Sequence, residues 1–93
     1  MAYVIVEGNV KNPELLAQYS QQAAPTLEKF GGKFIAKGGA EPLHGDAEFA
    51  IRAVIEFASV EVAKEWYFSD EYQALAGIRE QGMDSRFVVT EAV

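Results

Sequence analysis

Four short stretches of this chain are rich in apolar, β-branched and aromatic residues, and in some of them apolar residues alternate with charged ones, a pattern typical of β-strands. The stretches are residues 3–7, 33–37, 49–57 and 86–90. The third has the clearest pattern, because apolar residues occupy every second position from its first residue to its last. Each stretch is too short for a stable helix, so we predict four strands that pair into one small sheet.

A period of 3.6 residues follows the first strand and predicts an amphipathic helix. Asn12 supplies an N-cap and Pro13 suits the first helical position. Gly31 is expected just after the last turn. Pro25 lacks a backbone donor, so we expect a kink or a restart of the helix between residues 23 and 26. The residues that face the core are predicted to be Leu16, Tyr19, Ala23, Leu27 and Phe30.

Two further short helices are predicted after the third strand, with Ser59 and Ser69 as their N-caps. The resulting order is β, α, β, β, α, α, β. This order describes a single α+β domain over residues 1–93 with the ferredoxin-like βαββαβ arrangement and a split second helix. We therefore expect a four-stranded antiparallel sheet with its helices on one face.

Both faces of this sheet are predicted to be apolar over much of their area, whereas the helices can cover only one of them. An uncovered apolar face of that size is unusual in a monomer, so we predict a symmetric homodimer that pairs sheet to sheet. Arg52 and Glu56 are expected to pair across the dimer axis. The predicted interface residues are Tyr3, Ile5, Arg52, Val54, Glu56, Phe87 and Val89.

The chain resembles the small bacterial family called domain of unknown function 1330, within the dimeric α+β-barrel superfamily. The resemblance spans nearly the whole chain and rests on YVIVEGNVKNPE, AQYSQQAAPTLEKFGGKF, KGG, VIEF and EWYFSDEYQALAGIRE. Its most specific residues are Trp66, Tyr67, Ser69, Tyr72 and Arg79. The chain departs from the family at His44, where an acidic residue is more common.

The resemblance implies a dimer with its sheets face to face and a cleft between helices and sheet. Relatives in the superfamily include cofactor-independent monooxygenases of antibiotic biosynthesis and muconolactone isomerases. The family itself implies no particular activity.

Composition narrows the classes of partner. The net charge is -6, which repels nucleic acid and anionic membranes alike. Cysteine is absent, and no basic-then-apolar leader is present, so we expect a cytoplasmic protein. Neither a cofactor nor a metal is expected, because the chain has no nucleotide-binding glycine motif and His44 is its only histidine.

Arg79 is the strongest candidate for chemistry, because helical spacing places it on the apolar face of its helix. A buried arginine needs an anionic or carbonyl partner. One interpretation is an internal pair with Glu56 or Asp46. The other is a clamp for a ligand carboxylate or enolate, which suits the planar guanidinium.

Three hypotheses for function follow. The first is a dimeric module that binds a small aromatic or acidic metabolite between helices and sheet, with Arg79, Tyr19, Tyr72 and Trp66 around the pocket. The second is a cofactor-free enzyme of the monooxygenase or isomerase type, in which His44 or Tyr19 moves a proton and Arg79 stabilises an enolate. The third is a structural dimer without a ligand.

Overall fold

A computed structural model describes the whole chain, residues 1–93, and confirms the predicted fold class. The four strands form one antiparallel sheet in the order β2-β3-β1-β4. The core lies between this sheet and the helices. The elements are β1 (Ala2–Val10), α1 (Pro13–Lys29), β2 (Lys33–Gly39), β3 (Ile51–Phe57), α2 (Val60–Tyr67), α3 (Asp70–Gln73), α4 (Ala76–Gly82) and β4 (Met83–Glu91).

The predicted N-cap residues Asn12, Ser59 and Ser69 lie at the starts of α1, α2 and α3. The side-chain oxygen of Asn12 accepts hydrogen bonds from the backbone N–H groups of Glu14 and Leu15, at 3.1 and 3.2 Å. Ser59 and Ser69 cap α2 and α3 through their hydroxyl oxygens. Each cap satisfies a backbone donor that would otherwise lack a partner, and together they fix where the helices start.

The expected restart at Pro25 is wrong, because α1 runs as one helix through that position. A proline removes only one backbone hydrogen bond of the helix. Tyr19 before it and Leu27 after it are buried in the same core, and this packing holds the helix together across the proline. The hydroxyl of Thr26 also donates to the carbonyl of Ala23 at 2.7 Å.

The third strand begins at Ile51, two residues later than the alternation predicts. The side chain of Asn9 explains the difference, because its amide oxygen accepts from the N–H of Ala50 at 2.8 Å. Its amide nitrogen donates to the carbonyl of Glu48 at 3.4 Å. A side chain therefore takes the place of a backbone partner at this end of the ladder, and regular pairing starts only beyond it.

The register of β4 corrects the predicted interface. Residues paired across neighbouring strands share a face of the sheet. Val4 pairs with Val89 and Val6 with Phe87, so Phe87 and Val89 face the helices and pack against the core. Val88 is the residue of β4 that faces the other way, and it stands 47% exposed.

The sheet has an open face on the side away from the helices. The Cα atoms span only 35 × 33 × 16 Å, and 16 of the 93 residues are buried. Such a thin slab has one layer of helices on one sheet and nothing on its other side. None of the four helices combines the length and the apolar character needed to cross a membrane.

The open face has an apolar centre with charged rows on both sides. The central row across the four strands consists of Ala36, Val54, Ile5 and Val88. The row on one side consists of Lys33, Glu56, Tyr3 and Thr90. The row on the other side consists of Gly38, Arg52, Glu7 and Arg86. Five of the predicted interface residues lie on this face, in these three rows.

Arg52 and Glu56 were expected to pair across a dimer axis, and the structure gives both of them partners within the chain. Arg52 lies 3.1 Å from the carboxylate of Glu7, and Lys33 lies 3.8 Å from that of Glu56. The strand register places opposite charges side by side, so these groups need no second subunit to be paired.

Candidate functional site

The guanidinium of Arg79 lies inside the protein, with 8% of the residue exposed. It projects from α4 towards α2 and α3, where its Nη1 donates to the phenol oxygens of Tyr67 and Tyr72, each at 3.3 Å. Its Nη2 lies 3.3 Å from the carboxylate of Glu80. The Nε atom is buried and has no hydrogen-bond partner. The inward placement of Arg79 therefore matches the helical spacing.

The predicted carboxylate partners of Arg79 are wrong. Glu56 lies on the open face, and Asp46 lies in the exposed loop between β2 and β3. The only carboxylate near the guanidinium is that of Glu80, whose side chain is 63% exposed. A solvated neighbour of this kind compensates a buried charge poorly. Most of the surroundings of Arg79 are consequently neutral.

Aromatic rings supply the rest of the surroundings. The central carbon of the guanidinium lies 5.6, 5.8 and 5.2 Å from the ring centroids of Tyr67, Tyr72 and Phe87. Cations are attracted to the faces of such rings at this range. Arg79 is thus held by three aromatic side chains rather than by a buried acid.

The hydrogen bonds of the cluster leave phenol protons without an acceptor. The hydroxyls of Tyr19 and Tyr72 lie 2.5 Å apart and share one hydrogen bond. That bond uses one phenol proton, while the hydroxyl of Tyr67 only accepts, from Arg79. Each phenol has one proton to donate, so two of the three protons have no acceptor in the protein. The arrangement is complementary to an oxygen atom that carries negative charge.

Burial sets the protonation states. Burial, together with the neighbouring Tyr72, raises the pKa of Tyr19 well above its ordinary range. Burial also raises the pKa of Tyr72, although hydrogen bonds from Tyr19 and Arg79 partly oppose it. For Arg79, burial acts to lower the pKa, but the interactions with Tyr72 and Tyr67 outweigh it and the pKa is raised. At neutral pH the guanidinium of Arg79 is therefore charged, and the phenols of Tyr19 and Tyr72 are protonated.

These pKa shifts predict a loss of stability in alkali. The unfolded chain releases the phenol protons near pH 10, whereas the folded chain keeps those of Tyr19 and Tyr72 to higher pH. Their contribution to stability is complete below pH ~10 and declines above it, by about 1.4 kcal/mol per pH unit for each phenol. Urea titrations between pH 9 and 11 should show this decline, and Tyr19→Phe should make it shallower.

A cavity of about 330 Å³ lies between α1 and the sheet, and we call it the α1 cavity. Thirteen of its fifteen lining residues are hydrophobic, including the aromatic rings of Tyr19, Trp66 and Phe87. The indole N–H of Trp66 donates to the hydroxyl of Thr26 at 3.1 Å, which fixes the orientation of the ring. The volume falls in the range of small-molecule sites.

The four residues predicted around a pocket divide into two layers. Tyr19 and Trp66 line the α1 cavity, whereas Tyr72 and Arg79 lie behind that lining. The hydrogen bond between the hydroxyls of Tyr19 and Tyr72 connects the two layers. Arg79 is therefore connected to the cavity by hydrogen bonds through Tyr72 and Tyr19.

Lys37 is a site residue that the sequence did not reveal. It is the only charged residue in the lining of the α1 cavity and forms no salt bridge. Its ammonium lies 4.9 Å from the ring centroid of Phe34. Simple alternation puts Phe34 and Ala36 on one face, but a bulge between them shifts the register. Lys37 consequently shares the helix-facing side with Phe34.

His44 lies away from this cluster. It is exposed in the loop between β2 and β3, makes no side-chain hydrogen bond and does not line the α1 cavity. The structure therefore does not bring His44 together with Arg79 or Tyr19. No group of three or more His, Cys, Asp or Glu side chains is arranged to hold a metal ion.

A four-stranded antiparallel sheet that carries its helices on one face and encloses a cavity beneath them defines a ferredoxin-like α+β protein. The chain belongs to the family described as domain of unknown function (DUF1330), whose model matches residues 1–93. No curated protein matches the sequence significantly.

Solved structures with the same fold have diverged far in sequence. A protein of unknown function from Rhodopseudomonas palustris, RPA0582, is 20% identical with a TM-score of 0.80, over 99% of this chain and 82% of that one. SnoaB, a cofactor-independent oxygenase from Streptomyces nogalater, is 10% identical with a TM-score of 0.71, over 99% and 92%. A dimeric ferredoxin-like protein of unknown function from Jannaschia sp. CCS1 is 13% identical with a TM-score of 0.67, over 98% of each chain.

Proposed function

We propose that this protein is a dimeric module that binds a small aromatic or similarly flat apolar molecule with an acidic or carbonyl oxygen in the α1 cavity. The observation that carries this proposal is the buried guanidinium of Arg79, which has a surplus of phenol donors around it and no buried carboxylate. A ligand oxygen in the cavity would accept the phenol proton of Tyr19. Arg79 would stabilise the negative charge on that oxygen through Tyr72.

The lining of the cavity supports the same class of ligand. Trp66 and Phe87 offer ring faces and edges to a flat molecule. Lys37 stands at the exposed end of the lining without a carboxylate partner, although the chain has fourteen acidic and only eight basic side chains. A ligand with a carboxylate would supply the missing negative charge.

A cavity-filling substitution tests the location. Ala23 lines the α1 cavity from α1, and Ala23→Phe should place a ring in the space that the ligand occupies. We expect the variant to bind 1-naphthoate at least about tenfold more weakly, because even one lost charge-assisted contact costs that much. Isothermal titration calorimetry measures the change.

Ala17→Phe is the matched control, since Ala17 lies on the same helix but is exposed and does not line the cavity. It should bind like the wild type. Equal affinity of both variants and the wild type would place the ligand elsewhere. Failure of every aromatic acid in a thermal-shift screen to stabilise the wild type would favour a structural dimer without a ligand.

The enzymatic alternative has less support in the site. It requires a group that accepts a proton, and the raised pKa of Tyr19 keeps its phenol protonated at neutral pH. The other candidate, His44, lies in an exposed loop outside the cavity lining. The similarity to SnoaB concerns the fold. The cluster is equipped to hold an oxygen anion, and binding alone accounts for it.

The dimer is proposed to form through the open face. Its central row of Val54, Ile5 and Val88 is apolar, and the charges on both sides of this row are already paired within the chain. Two copies can therefore bury their central rows against each other without leaving a charge unpaired. The dimeric protein from Jannaschia shares this fold and supports the proposal.

A further inference from the structure

A second cavity of about 260 Å³ lies between α2 and β4, and we call it the α2 cavity. Eight of its nine lining residues are hydrophobic, and four of them are aromatic: Trp66, Tyr67, Phe68 and Phe87. We propose that the α2 cavity is a second binding site, separate from the α1 cavity, for a flat apolar molecule with a carboxylate. This site does not depend on the function proposed for the α1 cavity.

Charge complementarity indicates the anionic group. Lys64 is the only charged residue in the lining and forms no salt bridge. Its neighbours on α2 include Glu61 and Glu65, and neither comes within salt-bridge distance of it. Lys64 therefore has no carboxylate partner, although the chain has fourteen acidic and eight basic side chains, and a carboxylate on a ligand in the cavity would supply one.

A hydrogen-bond donor in the same lining gives an independent indication. The hydroxyl of Tyr67 accepts from Nη1 of Arg79 at 3.3 Å and has no acceptor for its own proton. Arg79 polarises that hydroxyl, so it donates more strongly than an isolated phenol. The lining of the α2 cavity thus includes a tyrosine with a polarised hydroxyl and a lysine, and its other residues are apolar. The two polar residues suit a carboxylate, and the apolar residues suit an aromatic ring.

Phe68 is a lining residue whose exposed ring a ligand in the α2 cavity would cover. Its side chain is 70% exposed, and its ring lies 5.1 Å from that of Tyr67 in an edge-to-face arrangement. A large aromatic residue held in this way at the edge of an apolar cavity gains from burial when a flat molecule enters.

The two cavities share a wall, which provides one reporter that responds to binding in either of them. Trp66 and Phe87 line both of them. Trp66 is the only tryptophan in the chain, so its indole N–H gives one side-chain signal in an NMR spectrum. Binding in either cavity should shift that signal, and the backbone signals of β2 and α2 should show which cavity is occupied.

The experiment is an NMR titration of the ¹⁵N-labelled full chain with 1-naphthoate, with 1-naphthalenemethanol as the neutral control. Lys37→Glu and Lys64→Glu form a matched pair, because both lysines are exposed and both substitutions change the charge equally. We expect two saturable events in the wild type. Lys64→Glu should weaken the event at α2 by at least about tenfold and leave the event at β2 unchanged, and Lys37→Glu should do the reverse.

Each outcome bears on one site or the other. One saturable event that Lys64→Glu leaves unchanged would overturn the α2 site and leave the α1 proposal intact. One event that Lys64→Glu removes and Lys37→Glu does not would support the α2 site and overturn the α1 proposal. Equal affinity for the neutral alcohol would show that Lys64 does not recognise charge, and absence of any binding would overturn both sites.

Discussion

Replacing Arg79 with methionine is expected to weaken binding in the α1 cavity while leaving the stability of the fold nearly unchanged. The guanidinium is buried, its Nε lacks a partner, and its only carboxylate neighbour is solvated. Apolar replacements of buried ion pairs are often neutral or stabilising by about 1–4 kcal/mol, and Arg79 has no buried acid that its removal would leave unpaired. Methionine keeps most of the volume and contacts aromatic rings favourably. The lost hydrogen bonds to Tyr67 and Tyr72 offset the relief from burying a charge, so we expect the free energy of unfolding to change by no more than about 1 kcal/mol.

The affinity for the ligand should change much more than the stability. Without Arg79, the hydroxyl of Tyr72 loses the donor that polarises it, and Tyr19 then offers the ligand an ordinary phenol. We expect the affinity for 1-naphthoate to fall at least about tenfold, the equivalent of one charge-assisted hydrogen bond. Urea denaturation and calorimetry on the same variant measure the two quantities.

Two companion variants separate function from structure. Arg79→Lys keeps a positive charge and should retain part of the affinity. Glu80→Gln removes only the solvated neighbour and should change neither quantity by much. If Arg79→Met lowered the unfolding free energy by several kcal/mol, the guanidinium would serve the stability of the core, and no ligand oxygen would be needed to account for it.

The fold was predictable from the sequence because local signals agree with the tertiary structure. The capping residue Asn12 has no competing role, and the apolar face of α1 needs only its own spacing to be recognised. The strands are marked by short runs of β-branched and aromatic residues, and apolar residues occupy every second position of the third. When such local features agree with the final packing, the fold can be predicted from the sequence.

Features that depend on strand register were not predictable from the sequence. The side of the sheet on which Phe87 lies is set by its pairing with Val6. No feature of the sequence near either residue indicates that pairing. The bulge before Ala36 is similar, since one inserted residue turns Lys37 towards the helices. A shift of one position reverses every subsequent side chain in a strand, and both differences follow from this property.

The site was predictable only in part, for a related reason. Helical spacing identifies Arg79 as facing inward, but its partners Tyr67 and Tyr72 come from other helices whose mutual orientation is a tertiary property. An inward arginine without an acid at helical spacing was the available signal. It indicated that something must compensate the charge, and it left open whether a carboxylate or aromatic groups would do so.

Ile5→Asp is expected to convert the proposed dimer into folded monomers. Ile5 lies at the middle of the open face, with Val54 and Val88 on the neighbouring strands, and points away from the helices. In a symmetric dimer the substitution places two carboxylates in the interface. Each unpaired buried carboxylate costs about 1–3 kcal/mol or more, so the dissociation constant should rise at least about 100-fold.

Sedimentation velocity at micromolar concentration distinguishes the two states, and circular dichroism checks that the fold persists. Leu43→Asp is the control, because it introduces the same charge at a residue that is 99% exposed in the loop between β2 and β3. It should sediment like the wild type. Val54→Thr is a milder variant that keeps a β-branched side chain in the strand, and it should weaken the dimer without monomerising it.

The physical basis of this expectation is surface area. The subunit exposes 5876 Å², compared with about 5,300 Å² for a typical folded monomer of its mass. The excess accords with a sheet that has helices on one side only. If the wild type sedimented as a folded monomer at micromolar concentration, the central row would be an exposed apolar surface without a partner, and Ile5→Asp would leave the sedimentation coefficient unchanged. A wild-type dimer that Ile5→Asp does not dissociate would place the interface on another surface.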